Sequence, residues 1–148
     1  MMAAFVSATH DDLDRAVVFM SRLYEQGEFD EARARSSYLD LVAHPEFGGL
    51  WWIEVDGQAV GYVVLTICYS LEFHGRFVLL DELYIEPPWR GRGLGGKALA
   101  FADRYCRDRG LKAIRLEVWR QNPRAIELYK RSGYEVDDRH LMTKWVGR

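Results

Sequence analysis

Cysteine and histidine are scarce in this sequence. Two cysteines, Cys68 and Cys106, and four histidines, His10, His44, His74 and His140, are spread over 148 residues. Their spacing has none of the close pairs a metal centre needs, so no metal is expected. Each cysteine falls inside an apolar periodic stretch, where a thiol serves as a small buried hydrophobe, and Cys106 is not expected to act as an acyl-carrying nucleophile. An excess of one charge is missing too. Twenty Lys and Arg against 22 Asp and Glu leave a net charge of −2, without the broad basic field of a nucleic-acid or anionic-lipid binder. No apolar run approaches the ~20 residues of a membrane-spanning helix. The first ten residues lack the basic start, apolar run and cleavage site of a secretory signal, so the cytoplasm is the expected compartment. Linkers, repeats and low-complexity segments are also absent.

What is present is enough for one domain covering residues 1–148. Hydrophobic residues make up 49% of the chain, and a domain of this size buries roughly 70% of its unfolded surface. A short strand is predicted from Phe5 to Ala8, followed by an N-cap at Asp11 or Asp12. Leu13, Ala16, Val17, Met20, Leu23 and Tyr24 then recur at helical spacing until Gly27. A weaker helix covers Asp30 to Val42 and ends at His44-Pro45. Trp51 to Val55 reads as a strand, Asp56-Gly57 as a hairpin turn, and Ala59 to Tyr69 as a largely buried strand. The polar stretch from Ser70 to Arg76 precedes another strand from Phe77 to Ile85, which Glu86-Pro87-Pro88-Trp89 stops. A helix from about Leu94 to Arg109 carries an apolar stripe that includes Ala98, Leu99, Ala102, Tyr105 and Cys106, and Gly110 ends it. Ala113 to Trp119 alternates as a strand should. Asn122 and Pro123 open a short helix that Gly133 closes, and residues 134–136 and 141–146 are predicted to complete the sheet. This order predicts an α/β or α+β domain with a mixed sheet.

The most informative segment is Arg90-Gly91-Arg92-Gly93-Leu94-Gly95-Gly96, between a predicted strand and a predicted helix. Glycines let the backbone turn sharply and approach a ligand closely. The first amides of the following helix lack intrahelical partners and carry the positive end of the helix dipole. That combination binds phosphate, and two arginines add charge-assisted hydrogen bonds. Gly91, Gly93 and Gly96 also satisfy the dinucleotide pattern G-x-G-x-x-G, with Glu117 further on. A dinucleotide fold, however, places its glycines directly after its first strand, and here several strands come earlier. A Walker-type loop requires Ser or Thr after the lysine, and Ala98 follows Lys97.

Together these residues resemble the GNAT superfamily of N-acetyltransferases. Its Arg/Gln-x-x-Gly-x-Gly/Ala signature is met by Arg90, Gly93 and Gly95, behind a strand ending in Leu83-Tyr84-Ile85-Glu86-Pro87. Its Asn-x-x-Ala-x-x-x-Tyr-x-x-x-Gly-Tyr/Phe run is met by Asn122, Ala125, Tyr129, Gly133 and Tyr134. Within the superfamily, the stretch from Asp81 to Gly95 looks most like the diamine, or polyamine, acetyltransferases. The resemblance implies a mostly antiparallel seven-stranded sheet with about four helices, in which the strands Phe77–Ile85 and Ala113–Trp119 splay apart. It further implies acetyl-CoA as co-substrate. The pantetheine arm would pair with the backbone of Leu83, Tyr84 and Ile85, and the pyrophosphate would lie on Arg90, Gly91, Arg92, Gly93, Leu94, Gly95 and Gly96. Asn122 is a cofactor contact, an N-cap, or both. Many relatives are dimers, so a homodimer is implied.

Direct acetyl transfer to an amine needs a proton acceptor, an oxyanion donor and an acid for the departing thiolate. The resemblance makes Tyr129 the acid and a cofactor neighbour, against the plainer reading of a core tyrosine at helical spacing. The oxyanion donor is the amide of Leu83 or Tyr84. The base is Asp81 or Glu82, and as adjacent strand residues they share a face only if a bulge intervenes. Acceptor contacts are expected from residues 24–40 and 69–76, with Glu28, Tyr69 and Glu72 as candidates to receive a cationic amine. A small-molecule or peptide amine is the expected partner. A non-catalytic acyl-CoA-binding module that keeps the loop but lacks turnover is the main alternative. A nicotinamide-dependent oxidoreductase and a nucleic-acid-binding domain are weaker ones.

Overall fold

The computed structural model describes residues 1–24 and 27–147. The chain divides into two compact units, Met1–Glu117 and Val118–Arg148.

The first unit is built on a sheet of five strands, β1 (Ala4–Ser7), β2 (Gly48–Val55), β3 (Gln58–Ser70), β4 (Gly75–Ile85) and β5 (Ile114–Leu116), in that spatial order. Every pairing is antiparallel except β4 with β5, which is parallel. Antiparallel neighbours are joined by tight turns, whereas a parallel pair needs a crossover. Here the crossover is helix α3 (Leu94–Asp108). Helices α1 (Leu13–Leu23) and α2 (Glu31–Ala43) lie between β1 and β2 in sequence.

Alternation along the strands sorts the core onto two faces. Trp52, Tyr62, Val64 and Tyr84 pack with Ala16 and Phe19 of α1 and Tyr38 of α2. Ile53, Val55 and Val60 pack with Leu94 and Ala98 of α3 on the other. The Phe19 ring meets those of Trp52, Tyr62 and Tyr84 edge-on, an arrangement that adds to simple burial. Close packing of β3 on β4 requires a glycine at 61. A Cβ there would stand 2.2 Å from the Tyr84 carbonyl oxygen.

The second unit holds helix α4 (Pro123–Arg131). Among the described residues the architecture is a mixed α/β fold with four α-helices and five strands, which corrects the expected seven. Residues 134–136 and 141–146 form no ladder. Their apolar side chains Val136, Leu141, Met142, Trp145 and Val146 are all exposed, so the segment gains little burial to offset the entropy of ordering a strand. No helix among the described residues is long and apolar enough to cross a membrane.

Candidate active site

Beyond β4 the chain makes a 3₁₀ turn over Pro87–Trp89 and enters the glycine loop. Gly91 and Gly93 have φ of +72° and +82°, a region that costs an L-residue with a Cβ about 1–2 kcal/mol. Gly93 is the N-cap of α3, and the first helical hydrogen bond runs from the Lys97 amide to the Gly93 carbonyl. The amides of Leu94, Gly95 and Gly96 therefore have no acceptor within the helix. A Cβ placed on Gly91, Gly93 or Gly96 would meet no protein atom within 4 Å, so the space beside these glycines is open. Leu94 is buried and anchors the first turn. Arg90 donates from Nε to the Ile85 carbonyl at 2.8 Å, tying the loop back to the strand, and its guanidinium lies over the Tyr84 ring. The Arg92 guanidinium stacks on Trp89. These features fit the diphosphate of a coenzyme.

A register shift in β4 shapes the other half of the site. Leu80 pairs with Leu65 and Glu82 with Val64, so Asp81 is an extra residue. This β-bulge bends its strand and increases the local twist. The parallel ladder with β5 ends at Leu80–Leu116, the residue before the bulge. The expected splay is thus partial, with three residues paired and Asp81–Ile85 running on without a β5 partner. The Glu86 amide donates to the Val60 carbonyl on β3. Backbone groups alternate sides along a strand, so Tyr84 directs its amide toward β3. Leu83 directs its own to the edge β5 does not reach.

The bulge also brings both acidic side chains to one cavity of about 310 Å³ between the sheet and α1 and α2. Glu82 accepts a hydrogen bond from the Tyr62 hydroxyl at 2.8 Å on one carboxylate oxygen and from the Tyr24 hydroxyl on the other. Burial raises the Glu82 pKa, the negative charge of Asp81 adds to the rise, and the two phenol hydrogen bonds oppose it. Among the described residues Asp81 accepts no comparable hydrogen bond. Although much of its surface is exposed, desolvation raises its carboxyl as well. Burial and the Glu82 carboxylate push both phenols above the ordinary tyrosine value, so they remain donors at neutral pH.

In the second unit, Asn122 caps α4, its side-chain oxygen accepting from the Ala125 amide at 3.2 Å. Pro123 occupies the first turn, where its missing N–H costs nothing. The Tyr134 amide donates to the Tyr129 carbonyl at 3.0 Å as the helix ends at Gly133, and the two rings meet edge-on. Burial raises the Tyr129 hydroxyl above its usual pKa.

Residues 13–134 match the Acetyltransferase (GNAT) family. The chain belongs to that family. An uncharacterized N-acetyltransferase of Archaeoglobus fulgidus is 32% identical over 82% of this chain and 86% of its own length. A second, MJ1207 of Methanocaldococcus jannaschii, is 27% identical over 95% of this chain. The match spans 63% of that relative's length. Among solved structures, an integron cassette protein from a salt-marsh metagenome superposes with a TM-score of 0.85 at 28% identity, covering 97% of this chain and 91% of that one. The aminoglycoside N-acetyltransferase AAC(6')-Iy in complex with CoA gives 0.81 at 14% identity, covering 97% and 95%, a likeness of fold.

Seen as a GNAT acetyltransferase, the chain brings together part of what its sequence suggested. Tyr24, Glu28, Phe29, Asp30, Arg33, Ala34, Ser37 and Tyr38 line the cavity with Asp81 and Glu82. Glu25 and Gln26, inside the expected acceptor stretch, lie outside the described residues. Residues 69–76 contribute nothing to the cavity lining; Tyr69 and Leu71 are 72% and 84% exposed at the β3–β4 turn. Tyr62 was missed. Its only signal is a polar-tipped aromatic in a buried strand, whose hydroxyl needs a partner. Cys106 is buried and its thiol is pushed up to about 11, chiefly by burial, which suits a core thiol. Among the described residues no three His, Cys, Asp or Glu side chains form a metal-binding group.

Proposed function

We propose that this protein transfers an acetyl group from acetyl-CoA directly to the primary amine of a small molecule or peptide. The observation that carries the proposal is the bulge at Asp81, which sets the half-buried Glu82 carboxylate at a cavity just before an edge amide and the glycine loop. Acetyl-CoA supplies the activated acyl group. The loop amides of Leu94, Gly95 and Gly96, with Arg90 and Arg92, hold the diphosphate. The free edge of β4 aligns the pantetheine arm along Leu83 and Ile85. Glu82 takes the proton from the incoming ammonium, directly or through one water, and is chosen over Asp81 because its two phenol donors fix its orientation. The amine nitrogen then bonds to the acyl carbon as the carbon–sulfur bond breaks, and the surplus proton left on nitrogen passes to water, which re-protonates Tyr129. The Leu83 amide stabilises charge on the acyl oxygen. Tyr129 is assigned as the acid that returns a proton to sulfur, on the strength of the Asn122–Tyr134 motif.

Thiol release from acetyl-CoA across a panel of amines tests the reading, together with thermal shift on adding coenzyme A or NAD. Amine-dependent release with stabilisation by coenzyme A supports it. Stabilisation by coenzyme A with no release on any amine leaves a non-catalytic acyl-CoA-binding module, and stabilisation by NAD alone overturns the loop assignment.

A further inference from the structure

The acceptor cavity has two unlike walls. Its floor is hydrocarbon, formed by Met20 of α1, Leu41 of α2, Leu50 of β2 and Val64 of β3. The rings of Tyr24 and Phe29, also part of the lining, are stacked at 6.2 Å and 22°. Among the described lining residues the charged groups are Glu28, Asp30, Asp81 and Glu82, against the guanidinium of Arg33. That guanidinium is already engaged, its Nε 3.4 Å from Asp30.

We infer that the acceptor is a compact arylalkyl- or alkylamine with one ammonium group and no anionic substituent. The assignment rests on the acetyl-transfer reading and narrows it. One ammonium is attracted by the carboxylates that flank the reacting position. A carboxylate or phosphonate on the same molecule meets like charge there, because the lining's four carboxylates outnumber the Arg33 guanidinium. A polyamine has the opposite difficulty. The lining's carboxylates attract its charge, but any inner ammonium group seated against Met20, Leu41, Leu50 and Val64 leaves water without an acceptor. An aromatic or branched aliphatic body gains from that same floor and from the Tyr24–Phe29 ring pair. The volume agrees, since about 310 Å³ sits at the small end of ligand pockets, which run from about 300 to 1,000 Å³.

The test compares kcat/KM of the full chain, read as thiol release from acetyl-CoA, for four acceptors. These are 2-phenylethylamine, phenylalanine (the same body with a carboxylate), spermidine and 2-aminoethylphosphonate. 2-Phenylethylamine is expected to exceed each of the others by at least about tenfold. A value as high for phenylalanine, spermidine or the phosphonate overturns the inference and leaves acetyl transfer standing. No release with any amine overturns acetyl transfer itself. Glu28→Lys, an exposed substitution outside the regular elements, adds a ratio that does not depend on yield of folded protein. It is expected to raise the preference for phenylalanine relative to 2-phenylethylamine by about threefold or more. An unchanged ratio removes the electrostatic part of the argument.

Discussion

The glycine loop and the cavity adjoin the same strand, and on the proposed function they recognise their ligands by opposite means. At the loop the work is done by backbone. Amides are freed by the start of α3, glycines leave space, and the side chains Arg90 and Arg92 are exposed and packed on aromatic rings. At the cavity it is done by side chains, with Glu82 gripped by Tyr24 and Tyr62 above a floor of aliphatic groups. A backbone site tolerates many side chains and demands particular dihedrals. A side-chain site can be re-tuned one residue at a time, so the two halves should separate cleanly under mutation.

The strongest way to break that separation is Glu82→Gln, which is expected to lower kcat/KM by roughly 100- to 1,000-fold. The dissociation constant for coenzyme A by calorimetry should stay within about twofold of wild type. Parallel loss of coenzyme A binding would mean that the halves are one site. Tyr129→Phe should lower kcat by about tenfold to a hundredfold while sparing coenzyme A affinity; an unchanged rate removes its acid role. Gly93→Ala should do the reverse, weakening coenzyme A by about tenfold. It should also cost about 1–2 kcal/mol of stability in denaturant titration through the strain at positive φ. Tyr62→Phe is the finest probe. Because burial raises the Glu82 carboxyl, the acid limb of kcat/KM should lie above the ordinary glutamate value of about 4.3. Activity is lost as pH falls through that limb, since only the deprotonated form accepts a proton. Removing the Tyr62 hydrogen bond takes away a stabiliser of the charged form, so the limb should move to higher pH. A shift to lower pH, or none, detaches Glu82 from the proton transfer.

The two halves also differed in how well they could be read from sequence. Glycines at 91 and 93 encode the positive backbone dihedrals almost directly, and Asn122-Pro123 marks a helix start for the same local reason. The strands from β2 to β4 announced themselves through β-branched and aromatic runs. The cavity depends on partners far apart in the chain. Tyr24 and Tyr62 meet Glu82 across 58 and 20 residues, and nothing local in either tyrosine signals it. Strand alternation alone sends Asp81 and Glu82 to opposite faces, and a bulge has no reliable composition. The two expected C-terminal strands failed because alternation describes a segment's capacity to pair, whereas pairing also needs burial that Leu141 and Trp145 do not obtain.

That supernumerary residue in β4 makes an unusual experiment available. Since Leu80 and Glu82 already face consecutive partners on β3, excising Asp81 altogether would leave every other cross-strand neighbour in place. It would take out the kink and one carboxylate of the cavity lining. On the acetyl-transfer reading, a shortened strand that is free to straighten would lose the twist that turns it away beyond Leu80, and with it the opening proposed for the thioester.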